Sequence, residues 1–208
     1  MSRSRAAFLD RDGVINELMY FEEAGIIDTP FHEDHVRLLP GVCEAIRAIH
    51  DLDYQVVVIS NQPGVAKGRF SRATLDRVTA RIEDSLRQGG AALDAIYYCL
   101  HHPEGSVPEL SGDCACRKPK PGLLLQAAEE RGINLVESFF VGDSVTDVQA
   151  GLAAGCRTVL VGRVRCDLCH HLAEHGVQPD LTVRTLREVA QHLLEQEGIP
   201  DAALHRHG

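Results

Sequence analysis

Two pairs of carboxylates carry the first chemical signal. Asp10-Arg11-Asp12-Gly13 lies near the amino end, and Gly142-Asp143-Ser144-Val145-Thr146-Asp147 comes much later. Residues i and i+2 of extended backbone point the same way, so Asp10 and Asp12 can face one site. Two close carboxylates repel, which favours a bound cation. Asp143 and Asp147 add hard oxygen ligands of the kind Mg2+ prefers, its other ligands coming from water and a substrate phosphate. In that setting Asp10 can attack phosphorus and form an aspartyl-phosphate. Asp12 can protonate the leaving oxygen, then take a proton from the water that hydrolyses the intermediate. Phosphoryl transfer is mainly positioning and charge stabilisation, so it needs donors around the transferring oxygens. Ser60, the amide of Asn61, and Lys118 are suited to that task. Taken alone, Asp-x-Asp-Gly is as compatible with a plain turn.

A second cluster is thiol and imidazole. Cys99-Leu100-His101 and Cys114-Ala115-Cys116 bracket a loop too long for a plain connection. Three thiols and one imidazole in two tight pairs suit tetrahedral Zn2+. Four protein ligands leave no open position for water, so the site would be structural, standing in for the core such a loop lacks. His102 is as able as His101 to supply the ring. The competing reading makes Cys99 a buried strand-end thiol and the others incidental.

Both clusters need a frame. Short apolar runs at Ala6–Leu9, Gln55–Ile59, Ala95–Cys99, Ser138–Val141, Thr158–Val161 and Leu181–Val183 predict strands. Helical spacing falls between them, over Val42–Leu52, Arg72–Arg87, Leu123–Arg131, Val145–Ala154 and Leu186–Gln196. This alternation implies an α/β fold, a parallel sheet with helices on both faces. Ligands of such sheets bind beyond the carboxyl ends of the strands. Asp10, Ser60 and Asp143 each follow a predicted strand, so all three should converge on one crevice. Asn16 to Leu39 is expected to form a flap or hairpin beside it, and residues 99–119 the metal loop. No linker divides the chain, so residues 1–208 are read as one domain. The intervals between Asp12, Ser60 and Lys118 must also hold core helix and strand, which leaves no room for a large cap. The polar tail after Pro200 is expected to fray.

The composition agrees. With 44% hydrophobic and 25% charged residues the chain is of ordinary globular type. A formal charge of −9 argues against a phosphate-tracking nucleic-acid binder. No apolar run approaches the roughly 20 residues of a membrane span. Asp10, Arg11 and Asp12 interrupt the start at once, so no signal peptide is expected and the chain is expected in the cytoplasm; a monomer is also expected. Seven cysteines in a reducing compartment then favour metal sites or buried thiols over disulfides. Cys166-Asp-Leu-Cys169-His170-His171 reads as an exposed helix start in preference to a second metal site or a haem attachment. Cys43 and Cys156 read as small buried hydrophobes. Gly151, with its alanine neighbours, reads as a helix face packed close on the sheet.

Asp10-x-Asp12-Gly13, Ser60-Asn61, Lys118 and Gly142-Asp143-x-x-x-Asp147 resemble the four motifs of the haloacid dehalogenase (HAD) superfamily. The resemblance implies a Rossmann-like core, Mg2+, Asp10 as nucleophile and Asp12 as acid/base. It also implies that the main-chain carbonyl of Asp12 joins Asp10 and Asp143 as metal ligands, with Asp147 in support. Tyr97-Tyr98-Cys99-x-His101-His102-Pro103-x-Gly105-Ser106-Val107 and Cys114-x-Cys116-Arg117-Lys118-Pro119-x-Pro121-Gly122 are similar to the D-glycero-D-manno-heptose 1,7-bisphosphate phosphatases. That likeness implies Cys99, His101, Cys114 and Cys116 as zinc ligands, Arg117 in substrate recognition and Lys118 on the transferring phosphoryl group. The expected reaction is removal of the 7-phosphate from a small phosphosugar. Two departures stand out: Ser144 replaces a Lys after the metal-binding Asp, and the segment after Asn16 is longer and rich in acids. The histidinol-phosphate phosphatases are the alternative within this class. Outside it stands a receiver-like module that merely accepts a phosphoryl group. Asp12, placed to hydrolyse the intermediate, and the Cys/His loop favour the enzyme.

Overall fold

Strand β1 (Arg5–Leu9) buries both faces, because its apolar side chains alternate between two cores. Ala7 and Leu9 face one helical layer and Ala6 and Phe8 the other. The computed structural model describes residues 3–23, 25–162 and 166–199, apart from the side chains of 166–169. Strands β4 (Tyr54–Asn61), β5 (Ala95–Cys99), β6 (Phe139–Gly142), β7 (Arg157–Val161) and β8 (Leu181–Val183) complete a six-stranded sheet in the order β5-β4-β1-β6-β7-β8. Every pairing in it is parallel. Helices α1 (Val42–Asp51), α2 (Arg72–Gln88) and α6 (Leu186–Gln196) cover one face with Ile46, Ile82 and Val189 among their buried residues. On the other lie α3 (Gly122–Arg131) and α4 (Val145–Ala154), through Leu123, Ala127 and Ala150. Helix α5 (Cys166–Glu174) lies between β7 and β8. None of the described helices is long and apolar enough to cross a membrane.

Phe8, Phe139 and Phe140 are fully buried at the sheet centre, and each such side chain contributes roughly 1.5–3 kcal/mol. Exposed ion pairs such as Arg72–Asp76 contribute about 0–1 kcal/mol, so the sheet is held by its apolar layers. The Cβ positions explain why α4 lies close: one added at Gly151 would stand 2.7 Å from Thr158 Cγ2 and 3.3 Å from Phe140 Cβ. The small helix face read from the sequence packs on β6 and β7 as expected.

The elements fall where the sequence puts them, with two corrections. Ser60 and Asn61 belong to β4 itself, because they pair with Tyr98 and Cys99 of β5. Cys43 is only half-buried, since α1 turns it toward Gly89 at the end of α2. Cys156 is buried as expected. The reading of Cys166 and Cys169 falls on side chains outside the described residues, as does the tail after Pro200.

The flap is a two-stranded antiparallel hairpin, β2 (Met19–Phe21) and β3 (Ile26–Asp28). A stack of Phe21 on Phe31 at 4.2 Å, with Phe70 5.5 Å beyond, moors it to the segment after β4. Arg69 pairs with Asp28 and Arg77 with Glu33 across the same seam.

Candidate active site

The central strand β1 has β4 on one side and β6 on the other, so chain order reverses beside it and a crevice opens past its carboxyl end. Asp10, Asp12, Ser60, Asn61, Lys118 and Asp143 all line this crevice of about 280 Å³, with Leu18, Asp28 and Thr29 of the flap closing one wall. The convergence expected from the motifs is present. Gly13, at φ +83°, makes it possible: a Cβ there would stand 2.1 Å from Asp143 Oδ2.

Lys118 ties the acids together. Its ammonium lies 2.9 Å from Asp10 Oδ1 and 2.6 Å from Asp147 Oδ1, and donates to the Ile59 carbonyl at 3.2 Å. The contact with Asp147 Oδ1 is an ion pair without hydrogen-bond alignment. Asp147 Oδ2 accepts from the backbone N and hydroxyl of Ser144, at 3.0 and 2.5 Å, which also caps α4. The Asn61 side chain clamps the Lys118 backbone in both directions, donating to its carbonyl at 3.2 Å and accepting from its N–H at 3.1 Å. Ser60 Oγ accepts from Gln62 Nε2 at 3.2 Å.

Asp12 sits in a net of donors that the motif does not reveal. Its carboxylate accepts from Arg11, from Asn16 Nδ2 at 2.9 Å, from Thr29 Oγ1 at 2.9 Å and from Gln62 Nε2 at 2.7 Å. The Arg11 guanidinium is itself buried and also meets Thr29, Gln62 and the Tyr98 hydroxyl. Only its position between two acids behind a buried strand could have signalled this. Burial raises the Asp12 carboxyl, but Arg11 and the other donors outweigh it and hold it below the usual range.

The other acids move the opposite way. Burial first, then repulsion from Asp147 and Asp12 against the pull of Lys118, raises Asp10 to about 6. Burial and its neighbours Asp10 and Asp147 raise Asp143 to about 7. Burial pulls the Lys118 ammonium down, yet Asp10 and Asp147 more than offset it and hold it above its usual value. Groups with raised carboxyl pKa stabilise the fold below an ordinary carboxylate pKa, and that contribution is lost as pH rises through the folded value. Protein freed of Mg2+ but keeping its Cys/His metal should therefore lose several degrees of melting temperature between pH 5 and 7.5, since about 1 kcal/mol moves a chain of this size by roughly 2–4 °C. Asp12 has the opposite sign, but its contribution disappears only at more acid pH. Added Mg2+ should restore the lost stability at pH 7.5 by mass action. A melting temperature that stays level or climbs over that interval contradicts the raised acids.

Asp10, Asp143 and Asp147 each offer an oxygen within 4.8 Å of the others. A buried, mutually repelling, all-oxygen set of this kind suits Mg2+. The second cluster is distinct. Cys99, Cys114 and Cys116 bring their sulfurs 3.1–3.6 Å apart, and His101 Nδ1 lies 3.5 Å from Cys116 Sγ and 4.0 Å from Cys99 Sγ. A tetrahedron of ligands about 2.3 Å from zinc has edges of roughly 3.7 Å, so the four groups fit. Spacing leaves His101 and His102 equal, but the fold separates them: His102 Nδ1 turns away and accepts from Glu104 N at 3.1 Å. The loop closes tightly on α3, where a Cβ at Gly122 would meet the Ala115 carbonyl at 2.2 Å. Arg117 lies outside the crevice lining and donates to the His101 carbonyl at 3.4 Å.

Comparison with known proteins agrees with this geometry. A family model described as HAD-hydrolase-like matches residues 115–189. The chain is 40% identical over 193 residues to the D-glycero-beta-D-manno-heptose-1,7-bisphosphate 7-phosphatase of Escherichia coli K12, covering 92% of this chain and 95% of that one. The chain belongs to the HAD-like phosphatases. This phosphatase is also 41% identical over 159 residues to the enzyme of the same name from Yersinia pestis, covering 76% and 80% of the two chains. Among solved structures, the D,D-heptose 1,7-bisphosphate phosphatase of B. bronchiseptica, complexed with magnesium and phosphate, superposes with a TM-score of 0.75 at 34% identity, covering 92% of this phosphatase and 99% of that chain. The corresponding enzyme of Burkholderia thailandensis gives 0.62 at 29%, covering 91% and 98%.

Proposed function

We propose that this single-domain phosphatase removes the 7-phosphate of D-glycero-beta-D-manno-heptose 1,7-bisphosphate through an aspartyl-phosphate on Asp10. The observation that carries the reading is the Lys118 ammonium lying between Asp10 and Asp147, in a crevice shared with Asp12, Ser60 and Asp143. Named relatives at about 40% identity support the substrate.

Each side chain has a task in this scheme. An Asp10 oxygen attacks phosphorus, the bond from phosphorus to the sugar oxygen breaks, and that oxygen keeps the electron pair and takes the Asp12 proton. Asp12, now a carboxylate, accepts a proton from water as the water oxygen attacks phosphorus, and the bond to Asp10 breaks to release phosphate. Arg11 favours the carboxylate form, which suits this second half. In the first half the incoming phosphate dianion disfavours a second negative charge beside it, which promotes the protonated form. Lys118, with the Ser60 hydroxyl and the Asn61 backbone, stabilises the transferring oxygens. Asp147 holds Lys118. Mg2+ on Asp10, Asp143 and the Asp12 carbonyl supplies neutralising charge to the acids and the phosphate when bound. Cys99, His101, Cys114 and Cys116 would hold Zn2+, which would stiffen the loop that leads into Arg117 and Lys118.

The far phosphate requires cations at the rim. Arg117, Lys67 and Arg69 are the candidates, and all three act on the His102 ring: burial lowers its pKa, and these charges lower it further against the pull of Glu104. Arg69 also pairs with Asp28 of the flap, so it serves the far phosphate only after releasing that partner.

Phosphate release over a panel of sugar bisphosphates, sugar monophosphates and histidinol phosphate tests the reading. The expected result is a kcat/KM for the heptose 1,7-bisphosphate at least about a hundredfold above the others. A preference for histidinol phosphate overturns the substrate, and no hydrolysis of any phosphomonoester overturns the activity.

A further inference from the structure

We propose that Thr29, brought in by the flap hairpin, is a positioning residue for the acid/base carboxyl of Asp12. Thr29 is buried, and its hydroxyl donates to Asp12 Oδ1 at 2.9 Å while accepting from Arg11 Nη2. Its place is fixed from both sides. The Thr29 N–H donates to Asp28 Oδ1 at 2.8 Å, and the other Asp28 oxygen pairs with Arg69 on the segment after β4.

The four partners of Asp12 are not equivalent. Arg11, Asn16 Nδ2 and Gln62 Nε2 can only donate, so they hold a carboxylate. A hydroxyl can donate or accept. The carbonyl oxygen of a protonated Asp12 can go on accepting from the donors, but Thr29 is the partner among these four that can also accept from its O–H. Its removal leaves the O–H of the protonated carboxyl facing donors alone, which disfavours the acid form that must reach the leaving oxygen. The flap then acts in the chemistry as well as forming a wall.

The inference rests on the proposed role of Asp12, and leaving-group chemistry separates the two. An alkyl phosphate such as the sugar bisphosphate needs a proton on its departing oxygen, whereas p-nitrophenyl phosphate expels a stable phenolate. Thr29→Val keeps the shape and removes the hydroxyl; Thr29→Ser keeps the hydroxyl. The readout is the ratio of kcat/KM for the two substrates within one preparation, which cancels any change in the folded fraction. For Thr29→Val the loss on the alkyl phosphate should exceed the loss on the aryl phosphate by about tenfold, on the order of one hydrogen bond, and Thr29→Ser should restore the ratio. For Asp12→Asn the same excess should be larger still. Equal losses on both substrates for Thr29→Val, beside a clear excess for Asp12→Asn, overturn the role of Thr29 alone. Equal losses for Asp12→Asn overturn the role of Asp12 and this inference with it.

Discussion

Asp10→Asn should lower phosphate release by roughly 10⁴-fold or more, as expected when a reaction loses its nucleophile, while the protein stays folded. Asn has the size of Asp, and its oxygen can still accept from the Arg11 N–H and the Lys118 ammonium, which lie 2.8 and 2.9 Å from Asp10 Oδ1. The substitution also removes a charge that burial, Asp147 and Asp12 all oppose. Circular dichroism and the melting temperature should therefore match or exceed those of the parent at pH 8. Steady-state turnover checks the first half of this expectation and thermal melting the second. More than a few per cent of parental turnover in the variant assigns the attack to some other group.

Cys116→Ser and Cys114→Ser should each cost the protein its zinc, from about one ion per chain to near none by elemental analysis. The effect on stability should be large, because none of residues 100–117 is buried and the loop has no apolar core of its own. Structural zinc in small domains supplies about 10–16 kcal/mol of apparent binding energy, far more than a few rim contacts. The catalytic effect follows from chain order: Arg117 and Lys118 come directly after Cys116. An untethered loop leaves Lys118 held by Asn61, the Ile59 carbonyl and the two acids, and we expect kcat to fall at least about tenfold. Cys43→Ser, outside the cluster, should keep zinc and turnover alike. Zinc retained in both loop variants, or zinc lost with melting temperature and kcat unchanged, contradicts a structural metal.

The parts of this molecule legible in the sequence are those written in local patterns. QVVVI at 55–59 and AIYYC at 95–99 read as strands between helical spacing, the first buried and the second half-buried at the sheet edge. The acids after β1 and β6 converge because parallel strands share a carboxyl edge. Long-range partners leave no such mark. Thr29 and Gln62 reach Asp12 from distant parts of the chain, and nothing in their flanking residues announces it. The hairpin strands are three residues each, too short for alternation to show. Asn61 was legible as a site residue, yet its side chain turns to the Lys118 backbone, a choice made by the meeting of β4 with the Cys/His loop. Spacing equally could not choose between His101 and His102, since adjacent rings differ only in the direction the folded loop gives them.

Attack by Asp10 on phosphorus is the claim on which the rest depends, and trapping the covalent species tests it most directly. Enzyme turning over a 32P-labelled phosphosugar in the presence of Mg2+ is quenched in acid within milliseconds, digested and mapped. Label should appear on the peptide containing Asp10, be released by hydroxylamine as an acyl phosphate is, and be absent from Asp10→Asn. Full-rate phosphate release with no label on the protein, or label on a peptide lacking Asp10, would contradict the account.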